Sequence, residues 1–124
     1  MARKSRIHFV YDIPIRKIVS EAGLVLKIPT EFINSEDRNR LGAFGRGVVG
    51  LIGRKLGSHT IRAMAGHFNR VPVAITQGVK KVEAKLREES DFKKAIEKIE
   101  KKLIKKREKK YLITYAPIYS LVSL

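Results

Sequence analysis

The segment from residue 61 to residue 82 contains basic and polar side chains but no carboxylate. Positive side chains bind phosphate oxygens, whereas amide and hydroxyl side chains hydrogen-bond to the edges of bases. The positive, amide and hydroxyl side chains of the segment include Arg62, Arg70, Thr76, Gln77, Lys80 and Lys81. Their chemistry is noncovalent recognition, and it predicts contacts with a nucleic acid.

The charge of the whole chain supports a polyanionic partner. Its 124 residues include 27 basic and 12 acidic ones, which gives a formal net charge of +15. Residues 41–82 hold seven basic residues and no acidic one, whereas residues 83–110 hold twelve basic and seven acidic ones. We therefore expect double-stranded DNA as the partner, with an anionic membrane surface as the second choice.

Residues that could support catalysis are few and badly spaced. His8, His59 and His67 form no His-x-His pair and no Ser-His-Asp set, and there is no cysteine to bind a metal. Residues 53–58, GRKLGS, lack the spacing of a phosphate-binding loop. We expect no enzyme activity, no cofactor, no metal and no small-molecule substrate, and we interpret His59 and His67 as surface or cap-adjacent residues.

Targeting signals are also missing. The N-terminal residues MARKSRIHFV lack the apolar segment of a signal peptide. The longest apolar stretches are too short to span a bilayer. We expect a cytoplasmic protein associated with the nucleoid and do not expect a membrane partner.

Helix signals cover the first half of the chain. Asp12 and Pro14 predict a helix start, and Gly23 predicts its end. Ser35, followed by two acidic residues, predicts a longer helix over about 36–56, which Gly57 closes.

The second half contains a helical hairpin. Thr60 predicts the cap of a helix over 61–67, and Pro72 suits the first turn of a helix over 72–88. Asn69 tolerates the left-handed conformation that a tight turn between them needs. Ser90 predicts the cap of a further helix over about 91–109.

The hairpin fits the template of a helix-turn-helix motif. That template needs buried apolar residues on both helices and small residues where helices cross. We predict that Met64, Phe68 and Ile75 are buried. Ala65 and Gly78 are the small residues at the crossings. The competing interpretation is an ordinary helical hairpin with no role in DNA binding.

These signals divide the chain into four parts. We predict an N-terminal arm over 1–11, a helical domain over 12–88, a basic helix over 89–110 and an apolar tail over 111–124. The lysine-rich part of the basic helix is expected to be a solvated face, with a secondary nucleic-acid contact as the alternative.

Two stretches carry a resemblance to a known family: INSEDRNRLGAFGRGVVGLIGRKLGSHTIRAMAGHF and FNRVPVAITQGVKKVEAKL. Residues 13–88 resemble the C-terminal DNA-binding domain of DnaA-type replication initiators. They are still more similar to the domain that ends REP-associated tyrosine transposases. The resemblance implies an all-α, TrpR-like helical bundle containing a helix-turn-helix, and a role connected with replication initiation or transposition.

The resemblance also implies roles for individual residues. Arg38 and Arg40 match the basic loop that reaches into the minor groove, and Arg70 begins the recognition segment. The second hairpin helix would lie in the major groove, and its contact residues would be Val73, Ala74, Thr76, Gln77, Lys80 and Lys81. Three further arginines are candidates for phosphate contacts: Arg46, Arg54 and Arg62.

Two features depart from the family pattern. Residues 71–74, VPVA, are apolar where the family has side chains that cap the helix and read bases, so specific reading is weakened. Five glycines, at positions 42, 45, 47, 50 and 53, stand where the family tends to have alanine or larger residues. We favour drift as the explanation of these glycines over close approach of another backbone or helix.

Two alternatives to a DNA-binding protein remain open. MARKSRIHF resembles the first strand of the catalytic domain of the same transposases, while the metal-binding histidines of that domain are missing. The chain would then be a non-catalytic remnant of a transposase. The other alternative is a basic structural or membrane-surface protein that uses the basic helix and the apolar tail.

Overall fold

The computed structural model describes residues 13–35 and 39–105, and all regular structure in these ranges is helical. The predicted all-α class is therefore confirmed. The helices are α1 (Ile15–Leu26), α2 (Thr30–Asn34), α3 (Arg40–Lys55), α4 (Ile61–Phe68), α5 (Pro72–Glu88) and α6 (residues 90–105). The predicted features that lie outside the described residues are the arm over 1–11, the cap at Asp12, Arg38, the part of the basic helix over 106–110 and the tail over 111–124.

α3 is the helix around which the others pack. It contacts α1, α2, α4 and α5. Gly47 of α3 lies against Gly78 of α5, and Gly50, one turn later, lies against Ile75 and Val79. Because later residues of α3 meet earlier residues of α5, these two helices run antiparallel.

α6 packs along α3 in the opposite sense to α5. The rings of Phe44 and Phe92 lie 5.3 Å apart. Further along both helices, Lys55 Nζ lies 3.0 Å from Glu100 Oε2. α6 therefore runs in the same direction as α3, and it reverses the direction of α5 at the single connecting residue Glu89.

The glycines of α3 are packing sites. A Cβ atom added to Gly47 would lie 2.6 Å from the carbonyl oxygen of Gly78, and one added to Gly53 would lie 2.5 Å from Sδ of Met64. At Gly45 it would lie 2.6 Å from the side chain of Ile33. Our interpretation of these glycines as drift is wrong, because neighbouring helices approach closely at each of them. At Gly47 a side chain would meet backbone, whereas at Gly45 and Gly53 a neighbouring side chain would have to move.

The end of α1 differs from the prediction, whereas the end of α3 lies within one residue of it. Gly23 does not end α1, which continues to Leu26 and is closed by Lys27 at φ 60°. Gly23 is buried inside the helix, where a Cβ atom would lie 2.8 Å from the carbonyl oxygen of Ile28. α3 ends at Lys55 with Leu56 as its C-cap, so Gly57 follows the helix as predicted, and the positive φ of 61° in this turn falls on Ser58. Close packing, and not turn formation, explains the glycine at position 23.

The start of α3 is also later than predicted. Asn39 is its N-cap, and the Asn39 side chain accepts a hydrogen bond from the N–H of Gly42. Ser35, the predicted cap, instead follows the last residue of α2. Asn is as good a cap as Ser, so the local signal at Ser35 did not distinguish the two positions.

One apolar cluster holds these helices together. Its largest fully buried side chains include Phe68, Ile18 and Ile52. The cluster continues past the predicted domain boundary at residue 88, because α6 adds Phe92, Ile96, Ile99 and Leu103 to it. α6 is therefore part of the same core as α1 to α5.

Candidate nucleic-acid interface

α4, the turn at Asn69 and α5 form a tight pair that we call the α4–α5 hairpin. Thr60 caps α4 by accepting a hydrogen bond of 3.0 Å from the N–H of Ala63. Asn69 adopts the predicted left-handed conformation, with φ 56° and ψ 48°. The N–H of Arg70 then donates to the carbonyl of Ala65 over 2.8 Å. These bonds fix the direction in which α5 leaves the turn.

The inner face of the hairpin is buried as predicted. Met64, Ala65 and Phe68 of α4 are almost fully buried, and so is Ile75 of α5. Gly78 differs from the prediction, because its close neighbour is Gly47 of α3 and not a residue of α4. The small residue therefore sets the distance between α3 and α5.

The outer face of α5 presents most of the predicted contact residues to solvent. Val73, Ala74, Gln77, Lys80 and Lys81 are exposed, and Thr76 is half-buried. Val73 exposes 62% of its surface although it is apolar. The leading turn of the helix therefore offers methyl groups, and the second and third turns offer an amide and two ammonium groups.

A groove of about 590 Å³ runs between the first half of α5 and the first half of α3. Gln77 and Lys81 line it from α5, and Arg40 lines it from the first turn of α3. The backbones of Gly47 and Gly78 meet at its floor. We call it the α3–α5 groove. It brings together predicted contact residues that are about forty positions apart in the chain.

Arg46 has a different environment from the one predicted. It exposes only 5% of its surface, and its Nη1 donates to the carbonyls of Ile33 and Ser35, each over 3.1 Å. A longer bond of 3.4 Å reaches the carbonyl of Phe32. Burial lowers the pKa of Arg46, and the positive charge of Arg70 lowers it further.

These carbonyls belong to the C-terminal end of α2, where backbone oxygens have no partner within the helix. The Arg46 guanidinium therefore caps α2 from a neighbouring helix. Arg46 also lines the α3–α5 groove, so its predicted phosphate contact stays a prediction, although its side chain is almost fully buried.

Arg70 lies where the hairpin meets the end of α2. It is half-buried, and its Nη2 donates to the carbonyl of Ser35 over 3.2 Å. Since Arg46 donates to the same carbonyl, two arginines hold the residue that precedes segment 36–38. Arg70 thus connects the start of α5 to the part of the chain that leads to Arg40.

Arg54 and Arg62 are exposed, but they do not line the α3–α5 groove. Arg54 belongs to the last turn of α3 and Arg62 to the first turn of α4. The structure therefore separates these two predicted phosphate contacts from the groove residues.

Several residues that line the groove were not predicted as contact residues from the sequence. Ala43 and Phe44 line the groove from α3, next to Arg40. The signal was present, because positions three and four residues after Arg40 lie on the same face of a helix. Only the pairing of α3 with α5 makes that face part of the site.

The two described histidines, His59 and His67, do not gather with other metal-binding side chains of the described ranges. His59 is half-buried, and its Nε2 lies 2.6 Å from the carbonyl oxygen of Ile13, which links the α3–α4 connection to the start of α1. His67 is exposed and its ring meets the ring of Phe68 edge-on at 4.9 Å. Within residues 13–35 and 39–105, no three His, Cys, Asp or Glu side chains form a group that could hold a metal ion.

None of the helices described is both long and apolar enough to cross a bilayer.

No protein-family model, curated protein or solved structure matches this chain. The resemblance to the DnaA C-terminal domain and to the transposase domain therefore stays a prediction. Support for a function comes from the contacts and charges of the described residues.

Proposed function

We propose that this chain is a double-stranded DNA-binding protein in which the α4–α5 hairpin acts as a helix-turn-helix. α5 would enter the major groove with its outer face, and Arg40 would approach the adjacent backbone or minor groove. The protein would bind duplex DNA with modest sequence preference. In this proposal the bundle is of the TrpR-like, DnaA C-terminal type.

The observation that carries the proposal is the convergence of Arg40, Gln77 and Lys81 on the α3–α5 groove. The groove belongs to a stretch of chain that holds no acidic residue between Asp37 and Glu83. Positive side chains can therefore meet phosphates there without competition from carboxylates on the same stretch. The amide of Gln77 adds a group able to pair with the edge of adenine.

The modest sequence preference follows from the leading turn of α5. Val73 and Ala74 are exposed there, where a base-reading helix needs polar side chains. Their methyl groups can touch the methyl of thymine but cannot form bidentate hydrogen bonds. Affinity would then come mainly from phosphate contacts, which position a protein without reading sequence.

The packing of α6 argues against the alternative of a membrane-surface protein. An amphipathic helix binds a membrane by burying its apolar face among the lipids. The apolar face of α6 is already buried in the protein core through residues such as Ile96 and Ile99. Insertion of this helix into lipid would require it to leave the core.

The proposal is tested by neutralising the groove. The variant Arg40→Gln/Lys81→Gln should bind a random duplex roughly tenfold more weakly than the parent, because two phosphate contacts are lost. The matched control is Arg16→Gln/Lys17→Gln, which removes two exposed positive charges from α1. Fluorescence anisotropy with a labelled duplex measures both. Equal affinities for the two variants would contradict the assignment of the groove.

A further inference from the structure

α6 carries a row of lysines directly opposite its buried face. The buried residues are Phe92, Ile96, Ile99 and Leu103. Two positions after each of them stands an exposed lysine: Lys94, Lys98, Lys101 and Lys105. At 3.6 residues per turn, two positions correspond to a rotation of about 200° around the helix. These four lysines, which we call the lysine row, therefore point away from the core along the described length of α6.

The charge of the lysine row is weakly compensated. Glu100 faces α3, where its carboxylate lies 3.0 Å from Lys55 Nζ. Glu97 stands beside the row, but it forms no ion pair within 4.0 Å in the described part of the chain. Like charges one turn apart on a helix repel each other. A polyanion bound along the row would relieve that repulsion.

The dimensions of the row fit a nucleic-acid backbone. Eleven residues separate Lys94 from Lys105, a distance of about 16 Å along a helix. That length corresponds to about five base pairs at 3.4 Å each. The apolar face of α6 is buried in the core, so the lysine row offers a partner only positive charge. Positive charge suits the phosphates of a nucleic-acid strand better than the apolar interior of a membrane.

The lysine row is separate from the α3–α5 groove. It belongs to α6 alone, whereas the groove is lined by residues of α3 and α5. We propose that the lysine row is a second duplex-binding surface, so that one chain holds two duplex segments together. The bridging part of this inference rests on the proposed function of the groove.

A bridging assay tests the inference. Parent protein is bound to a duplex fixed on beads, and the beads are then offered a second, labelled duplex. The row variant replaces the four lysines with glutamine: Lys94→Gln/Lys98→Gln/Lys101→Gln/Lys105→Gln. Its affinity for the fixed duplex should lie within about threefold of that of the control variant. It should capture about tenfold less labelled duplex than the control variant. The matched control removes four exposed charges elsewhere, as Arg16→Gln/Lys17→Gln/Lys27→Asn/Arg87→Gln. Asn is used at position 27 because it tolerates the φ of 60° there.

The outcomes separate the two proposals. A parent that does not bind the fixed duplex overturns the proposed function and bridging with it. The parent could bind the fixed duplex and capture the labelled one while the row and control variants capture equal amounts of labelled duplex. That result would overturn only the proposal for the lysine row. Equal capture would also result if the protein bridged duplexes by forming dimers through another surface. Vesicles containing phosphatidylserine provide the last arm: if the row variant loses only vesicle binding and keeps duplex capture, the row binds membranes and the inference is wrong.

Discussion

α5 and α6 both pack against α3, but their contacts with it are of different kinds. α5 meets α3 at backbone distance, through Gly47 and Gly78. α6 meets it through long side chains, with Phe92 on the ring of Phe44 and Glu100 paired with Lys55. Glycine contacts leave little freedom for one helix to shift on the other, whereas long side chains adapt to small movements.

The exposed side chains on the outer faces of α5 and α6 also differ. α5 exposes methyl groups, the Gln77 amide and two lysines, and α6 exposes a lysine at nearly every turn. Reading a base edge needs a side chain placed within a fraction of an ångström, whereas holding a phosphate needs only a positive charge nearby. The rigid contact therefore lies under the helix that would read bases, and the adaptable contact lies under the helix that offers charge.

The largest expected effect comes from the largest buried side chain of the hairpin. Phe68 of α4 is buried in the apolar cluster. Phe68→Ala should lower the free energy of unfolding by about 3–5 kcal/mol. Urea denaturation followed by circular dichroism measures it. A variant that unfolds at nearly the same urea concentration as the parent would show that the hairpin does not depend on this side chain.

The glycine contact under α5 is tested next. Gly47→Ala should cost about 1–3 kcal/mol of stability, because the new Cβ meets the backbone carbonyl of Gly78 and the helices must move apart. Gly66→Ala is the matched control, since a Cβ there meets nothing within 4 Å. It should stabilise α4 by about 0.5–1 kcal/mol.

Urea denaturation measures the change in the free energy of unfolding for both glycine variants. Changes of opposite sign would support the contrast between the α5 and α6 contacts. If Gly47→Ala also stabilises the protein, α5 is free to shift on α3 and the contrast fails.

A smaller effect is expected in sequence preference. Val73→Thr/Ala74→Thr should raise the ratio of best-site to scrambled-duplex affinity. The gain for each hydroxyl should be less than the roughly 1–3 kcal/mol of a bidentate contact, because a hydroxyl forms a single hydrogen bond to a base edge. Gln77→Ala should lower that ratio. Competition binding with a site selected from a random duplex pool measures both. A parent that already discriminates about a thousandfold, as specific regulators do, would contradict the view that its apolar leading turn limits it.

The smallest effect concerns the ion pair under α6. The Lys55 side chain is 61% exposed, so its pair with Glu100 is largely screened by water. Lys55→Gln should cost less than about 1 kcal/mol in stability. Thermal unfolding at low and high salt measures it. A loss of stability as large as that of Gly47→Ala would mean that α6 is held as firmly as α5. The contrast between the two helices would then be wrong.

Local signals predicted the hairpin well. Pro72 at the first turn of α5 and the left-handed Asn69 both depend on the conformational preferences of single residues. The start of α5 follows from such preferences. The burial of Met64, Phe68 and Ile75 follows from helical spacing within two adjacent helices, so it also could be predicted.

Non-local contacts explain what the sequence could not predict. Arg46 and the α3 glycines owe their roles to residues far away in the chain, namely the end of α2 and the face of α5. An arginine in a basic segment has the same local signature whether it caps a helix or binds a phosphate. Only the packing of α3 between the other helices decides between these roles.

The central claim is that positive side chains of the hairpin and groove bind the phosphates of duplex DNA. The most direct test is the affinity of the parent for a random duplex, measured by anisotropy at salt concentrations between about 50 and 200 mM. We predict that the logarithm of the affinity falls linearly with the logarithm of salt, by roughly 0.9 for each phosphate contacted. A slope near zero over this range would contradict the claim.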